Sequence, residues 1–216
     1  MLDRLLGLPH SLTTAAQRAD WERMRRELPP LPTATEDGKT FLRPAGEILG
    51  PKANMENPEL YAVFPFRLFG VGKPGLDTGR LTFERREVKM TGGWTQDAIQ
   101  AALLGLGSEA SQMVCHNFGS ADPGSRFPAF WGPNFDWVPD QDHCNVPMIA
   151  LQAMLMQTEG ARIMLLPAWP KGWDVEFRLH APGRTTVEGV VKAGKLQGLR
   201  VTPEARRKDV AVMTPR

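Results

Sequence analysis

The chain has 216 residues, enough for one domain with a good core or for a smaller helical domain with an appended sheet. Its 26 Lys and Arg against 24 Asp and Glu leave a net charge of +2, and the basic residues are scattered. This pattern excludes the strong positive field of nucleic-acid-binding proteins. No apolar stretch is long enough to span a bilayer, and two cysteines are too few for a disulfide framework.

The first part of the chain predicts one clear helix followed by a loop-rich region. In the segment that ends at Leu28, apolar residues recur at helical spacing. Thr13 or Thr14 is a suitable N-cap, and Pro29-Pro30 ends the helix. Residues 31–58 are rich in Pro, Gly and polar residues, which predicts a loop with short extended pieces.

Four more helices are predicted in the middle of the chain. They cover residues 81–90, residues 96–106, a segment from Ser108 to near Gly119, and residues 147–157. The last of these is apolar nearly all round, which predicts burial in a helix-rich core.

Beyond Gly160 the pattern changes to short strands separated by turns. The predicted strands are residues 163–166, 174–179, 185–192 and 196–201, with a last strand near Val210. We therefore expect an antiparallel sheet appended to the helices.

Five parts of the chain carry a family resemblance. They are WERMRRELPPLP at 21–32, ELYAVFPF at 59–66, GGWTQDAIQAALLGL at 92–106, Asp142 with the helix after it, and LLPAWPKGW at 165–173. In this order they resemble the C-terminal third of family-95-like glycoside hydrolases, the six-hairpin (α/α)6-barrel enzymes typified by α-L-fucosidases. The resemblance implies a mainly α fold with an appended β region. Residues 1–160 are expected to form a partial (α/α)6 toroid, and residues 161–216 a C-terminal antiparallel β-sheet domain.

The resemblance also implies a reaction and a catalytic residue. The family hydrolyses α-L-glycosidic bonds with inversion, and its general base, an aspartate, aligns with Asp142. An inverting base activates a water opposite a proton-donating carboxyl group about 6.5 to 9.5 Å away. The family's acid lies upstream of the part resembled here, so this chain is expected to be inactive alone. Asp136 and Asp140 are the alternatives for the base, and an N-cap or turn role is the structural alternative for Asp142.

The chain departs from the family pattern at two places. His143 follows Asp142 where the family usually has a small residue, and this histidine is expected to contact substrate or hold Asp142, or simply to be solvated in a loop. Residues 57–61 replace a histidine-rich stretch of the fucosidase-like members. Fucose specificity is therefore not expected to transfer, and a related glycan is the predicted substrate.

Five other residues are predicted to contact the sugar. Aromatic rings pack on the C–H groups of a pyranose, and amide or carboxylate groups bind its hydroxyls. The residues are Trp94, Trp131, Trp137, Asn134 and Glu59. The alternatives are core packing for the tryptophans and an ordinary surface position for Glu59.

No metal or other cofactor is expected, because the four histidines and two cysteines show no pair at metal-ligand spacing except His143 beside Cys144. The expected partners are an oligo- or polysaccharide substrate and the missing N-terminal part of the same enzyme. The chain starts without a basic n-region or cleavage site, whereas the full-length family is extracellular or periplasmic, so a C-terminal fragment or an internal start codon is expected.

Two rival functions stay open. A non-catalytic carbohydrate-binding or interaction protein would use the sheet region 163–213, where Trp169, Trp173 and Phe177 are the available aromatics. A lyase would need a proton shuttle, and Tyr61 is the single tyrosine of the chain.

Overall fold

The computed structural model describes residues 1–48, 50–51, 55–89, 93–121, 123–124 and 141–213. They belong to two compact units, Met1–Pro32 and Thr33–Arg216, which are described separately. The predicted domains 1–160 and 161–216 divide the chain differently, and that division stays a prediction. No helix in these ranges is long and apolar enough to cross a membrane.

The first unit consists of short helices held together by polar contacts. Its elements are α1 (Leu2–Leu6), a 3-10 helix (His10–Leu12) and α2 (Ala15–Glu27). Thr14 begins α2 with a capping box: its Oγ1 accepts from Gln17 N at 3.2 Å, and Gln17 Oε1 accepts from Thr14 N at 2.9 Å. The Arg18 side chain donates to the Leu6 carbonyl oxygen at 2.6 Å. The predicted helix and its Thr14 cap are confirmed.

Replacing Thr14 by Ala should destabilise the start of α2 by about 1 kcal/mol, because the amide of Gln17 loses its acceptor. Hydrogen exchange of the Gln17 amide should accelerate about five-fold if it proceeds by fraying of this turn. The exposed Ser11 provides the control, since Ser11→Ala removes a hydroxyl outside the capping box. Equal exchange rates in the two variants would contradict the capping role.

The second unit mixes helices and strands along its whole length. Its elements are β1 (Thr33–Glu36), β2 (Lys39–Leu42), a 3-10 helix (Pro58–Ala62), α3 (Leu76–Arg85), α4 (Asp97–Leu103), α5 (Gly107–Gly119), α6 (Gln141–Leu155), β3 (Met156–Glu159), β4 (Arg162–Leu165), β5 (Val175–Ala181), β6 (Thr185–Lys192), β7 (Lys195–Thr202), a 3-10 helix (Glu204–Asp209) and β8 (Val210–Val212).

The strands form three small sheets rather than one appended sheet. β1 and β2 make a hairpin whose turn, Asp37-Gly38, has φ angles of 50° and 72°. β5, β6 and β7 form an antiparallel sheet, as predicted. The third sheet has the order β3-β4-β8, in which β8 runs parallel to β4. The prediction of a single antiparallel sheet is therefore wrong for its first strand, residues 163–166, and for its last strand near Val210.

The predicted mainly α fold, a partial (α/α)6 toroid followed by a β-sheet domain, is also wrong. The described residues are 40% helical and 23% strand, and the strands are spread over three sheets. The physical reason lies at the end of α6, which continues directly into β3. The Leu166 N–H donates to the Leu155 carbonyl at 2.7 Å, and the Ala168 N–H donates to the Met154 carbonyl at 3.1 Å. The last carbonyl groups of α6 are therefore bound by the segment that follows β4, at the place where a toroid would have another helical hairpin.

The core lies where α4, α5 and α6 pack together against β4. Every residue of α4 is buried, and its alanines allow close approach of the neighbouring helices. Gln157 joins two helix ends, because its Nε2 donates to the Ala102 carbonyl at 2.7 Å and to the Ala153 carbonyl at 2.9 Å. A Cβ at Gly107 would lie 2.9 Å from the Ala168 carbonyl oxygen, so α5 starts beside the segment that follows β4.

Candidate functional site

Asp142 lies in the first turn of α6, on the side that faces solvent. The helix begins at Gln141 and not at Pro147, which is an interior residue of the helix. Asp142 is therefore neither the N-cap of a helix starting at Pro147 nor a turn residue before it. The unpaired N–H groups of a first turn stabilise a carboxylate.

One face of α6 is exposed, contrary to the predicted burial on all sides. The exposed residues of this face recur at helical spacing. Two of them are apolar, Met148 with 48% and Ile149 with 44% of the residue surface exposed. The exposed strip of α6 consists of Asp142, Asn145, Met148, Ile149 and Gln152. Asp142 thus stands at the end of a strip that combines polar and apolar surface.

His143 points to the opposite side of the helix and is fully buried, at 0% exposure. The expectation of a solvated loop histidine is therefore wrong. The side chain lies in the same packed layer as Val146, Ala150 and Met154. This burial anchors the residue next to Asp142, which supports the role of holding Asp142 more than that of contacting substrate.

Several predicted residues lie outside the described part of the chain. They are the predicted sugar contacts Trp131, Asn134 and Trp137 and the alternative bases Asp136 and Asp140. Their roles stay predictions.

Trp94 lies at a narrow pocket with polar and apolar walls, which we call the Trp94 pocket. The pocket is lined by residues 55–57, Tyr61, Val88, residues 94–97 and Gln100. Its volume is about 20 Å³, enough for about one water molecule. The pocket is thus too small for a sugar ring, but it is large enough for one hydroxyl group.

Asp97 is the buried carboxylate of this pocket. It accepts hydrogen bonds from Thr95 Oγ1 at 2.9 Å and from the Ala98 amide at 3.1 Å. Its charge also acts on the buried Arg86, whose pKa is lowered by burial and partly restored by the charges of Asp97 and Glu109. These contacts keep Asp97 in place within the wall.

Tyr61 lies beside Glu56 in the same wall. Burial, a hydrogen bond to Glu56 and the charge of Glu56 raise the pKa of Tyr61 from 10.0 to about 12. The phenol therefore stays protonated and donates to Glu56 at neutral pH. A lyase would need this group to give up its proton readily, so the raised pKa counts against that rival function.

Because the chain has a single tyrosine, an absorbance titration should report Tyr61 directly. We expect ionisation centred near pH 12 in the folded protein. A folded pKa above the unfolded value of 10.0 stabilises the fold fully below pH 10, and this contribution is lost as the pH rises through about 12. Glu56→Gln should lower the midpoint, since the carboxylate charge disappears. A midpoint near 10 in the folded wild-type protein would contradict the arrangement.

Glu59 lies at a second, wider cavity, which we call the Glu59 groove. Its walls come from β2, from residues 43–45, 47–48 and 50–51 after that strand, from Pro58 and Glu59, and from the end of α3 with Glu87. The volume is about 760 Å³, within the usual range for small-molecule sites. Glu59 Oε2 is buried and has no hydrogen-bond partner in the described ranges. Arg85, a basic residue of the groove, pairs with Glu36 and lies 4.3 Å above the Phe41 ring centroid.

The structure brings some of the predicted site residues near one another. Glu59 and Tyr61 belong to the same 3-10 helix, so the Glu59 groove and the Trp94 pocket are neighbours. Asp142 is a lining residue of neither cavity. Among the described residues, the predicted base therefore lies outside the two cavities that contain the predicted sugar contacts Glu59 and Trp94.

The aromatic residues of the sheet region do not form an open platform. Trp169 and Phe177 are buried, and Trp173 is half-buried. The two tryptophan rings meet edge to face with centroids 5.5 Å apart, and Trp169 Nε1 donates to the Trp173 carbonyl at 3.0 Å. These side chains consolidate the core next to the sheet.

Sequence reasoning missed most of the Trp94 pocket, including Glu56, Asp97 and Gln100. A usable signal was present in α4, where Asp97 and Gln100 interrupt an otherwise apolar helix at a spacing of three residues. Polar residues on a buried helix face require partners and often line a site.

Among the described residues, no group of three or more His, Cys, Asp and Glu is arranged to hold a metal ion. In comparisons with known proteins, the chain matches no protein-family model and no curated protein.

Proposed function

We propose that this chain is the C-terminal portion of an inverting glycoside hydrolase that acts on an α-L-fucoside-like or related glycan. The five parts of the chain that resemble the glycoside hydrolase family suggest the reaction. The observation that carries the proposal is the exposure of Asp142 in the first turn of a helix that is otherwise anchored in the core. In this proposal Asp142 is the general base that takes a proton from the attacking water.

A general base needs both access to water and a fixed position. Access is supported by the exposed side chain of Asp142. A fixed position is supported at both ends of α6: His143 is buried at the start, and the Leu155 and Met154 carbonyls accept strand-side hydrogen bonds at the end.

Inversion also needs a second carboxyl group, which acts as the acid about 6.5 to 9.5 Å from the base. In the resembled family this group comes from an upstream segment. The exposed strip of α6, with Met148 and Ile149 beside Asp142, offers apolar surface that the upstream part would cover. The proposal therefore includes an upstream partner and an isolated chain without activity.

The direct test joins the chain to whatever is encoded immediately upstream and follows hydrolysis of 4-nitrophenyl α-L-fucoside and α-L-galactoside by proton NMR. Inversion of an α-linked substrate releases the β-anomer first. We expect this product from the joined protein and no turnover from the chain alone. Initial release of the α-anomer, or no turnover of any tested α-L-glycoside by the joined protein, would reject the proposal.

The second candidate is a non-catalytic carbohydrate-binding protein. The Glu59 groove favours it, because a cavity of about 760 Å³ with a buried carboxylate oxygen can accept a saccharide. This candidate predicts saturable sugar binding that is unaffected by Asp142→Asn, without hydrolysis in the joined protein.

A further inference from the structure

The Trp94 pocket contains two side-chain amides whose hydrogen-bonding capacity is not used. Gln100 is only 3% exposed and lines the cavity, and none of the hydrogen bonds among the described residues involves its side-chain amide. Gln96 lines the same cavity, and its Oε1 is buried without a hydrogen-bond partner in the described ranges. A buried amide oxygen without a partner, such as Gln96 Oε1, is rare, because desolvation is unfavourable unless a water or ligand replaces the lost hydrogen bond.

The two glutamines lie one helical turn apart at the start of α4. The Gln100 N–H donates to the Gln96 carbonyl at 3.0 Å, so their side chains leave the same side of the helix. Together they present one carbonyl oxygen that needs a donor and one amide that can both donate and accept. A hydroxyl group matches this pair, because it donates one hydrogen bond and accepts another.

The size and charge of the pocket narrow the class of ligand. A volume of about 20 Å³ admits a group of about the size of one water molecule. The neighbouring carboxylates of Glu56 and Asp97 disfavour an anion. A methyl group would fit but would leave both amides unsatisfied.

Trp94 completes the pocket with aromatic surface. Indole rings pack well against the C–H groups of a pyranose, while the hydroxyls of the same sugar bind polar groups. A polar pocket for one hydroxyl next to such a ring is suited to one corner of a sugar, with the remainder of the ring outside.

We propose that the Trp94 pocket recognises a single hydroxyl group of a saccharide, with Gln96 Oε1 as the acceptor and the Gln100 amide as the donor. The saccharide class rests on the proposed function, whereas the hydroxyl preference rests on the pocket itself. In this assignment both glutamines are specificity-determining residues that discriminate against analogues lacking the bound hydroxyl.

The test titrates ¹⁵N-labelled protein with two probes, methyl α-L-galactopyranoside and methyl α-L-fucopyranoside, which differ by one hydroxyl group. We expect saturable shifts of the Gln100 side-chain amide signals. Gln100→Leu and Gln96→Leu should each raise Kd at least about ten-fold, the effect of losing about 1.4 kcal/mol. Gln112→Leu, the same change on the exposed side of α5, should leave Kd unchanged.

Two results would overturn the assignment. One is that neither probe binds the wild-type protein saturably, in which case the pocket holds a structural water only. The other is that binding is unchanged in both Gln100→Leu and Gln96→Leu while Gln112→Leu behaves like the wild type. Before the titration, Gln96→Leu and Gln100→Leu are each checked for an unfolding transition like that of the wild type. If one of them does not fold, the other still tests the assignment.

The same experiment separates this proposal from the proposed hydrolase function. If the probes bind through Gln96 and Gln100 but the joined protein hydrolyses no glycoside, the hydrolase proposal fails and the hydroxyl pocket stands. If the joined protein turns over substrate with unchanged KM in both glutamine variants, the pocket proposal fails and the hydrolase function stands.

Discussion

Asp142→Asn in the joined enzyme is expected to lower kcat by about 10²–10⁴-fold. The amide has nearly the same shape as the carboxylate but cannot accept a proton from the attacking water. Because Asp142 is exposed in the first turn of α6, the substitution changes no buried side chain. We therefore expect normal folding and a KM close to that of the wild type. The measurement is a comparison of initial rates, together with the unfolding transition of each variant.

Asp37→Asn is the matched control for this experiment. Asp37 is exposed at the turn between β1 and β2, and its φ of 50° is a conformation that asparagine adopts as readily as aspartate. This variant should retain full activity. If Asp142→Asn retains it as well, Asp142 is not the base, and the same substitution at Asp136 and at Asp140 becomes the next experiment.

Leu165→Ala is expected to give the largest loss of stability, about 2–5 kcal/mol. Leu165 is 0% exposed on β4, where it pairs with Met156 of β3 and with Val212 of β8. Truncation would leave a cavity that strands on both sides prevent from collapsing. The free energy of unfolding from urea titration measures the effect.

Leu68→Ala serves as its control, because Leu68 is 51% exposed. A change within about 0.5 kcal/mol is expected at such a surface position. A loss below 1 kcal/mol for Leu165→Ala would contradict the central position of β4 in the β3-β4-β8 sheet. The comparison therefore also tests the corrected fold.

Elements with local signals could be predicted from the sequence. Thr14 and Gln17 form the capping box of α2 from residues three positions apart, and Pro29-Pro30 follows its end. The turn between β6 and β7 likewise depends on adjacent residues, since Ala193 and Gly194 both have positive φ angles. Such interactions are complete within a few residues, so the sequence pattern reveals them.

The start of α3 could not be predicted this way. The helix was expected at residues 81–90 but spans Leu76–Arg85, beginning after Gly75, whose φ is 72°. Gly79 lies in a stretch, residues 70–79, that contains four glycines, a composition typical of a loop. A Cβ there would lie 2.7 Å from Leu104 Cδ2, so this glycine is required by packing against the segment after α4. That contact joins residues far apart in the chain.

In the candidate sites, too, some features could be predicted from the sequence and others depend on tertiary contacts. Asp142 could be nominated from a motif, but its exposure and the burial of His143 depend on how α6 packs. The Trp94 pocket joins residues 55–61 to the start of α4, which no local pattern links.

The sequence by itself determined the capped helix α2, the tight turns and the strand-rich end of the chain, because each depends on neighbouring residues. Only the tertiary structure decided that the strands divide into three sheets, that β8 pairs in parallel with β4, and that residues 55–61 and the start of α4 meet in one pocket. These features come from burial and pairing between distant segments, and their free energy arises only when the core is assembled.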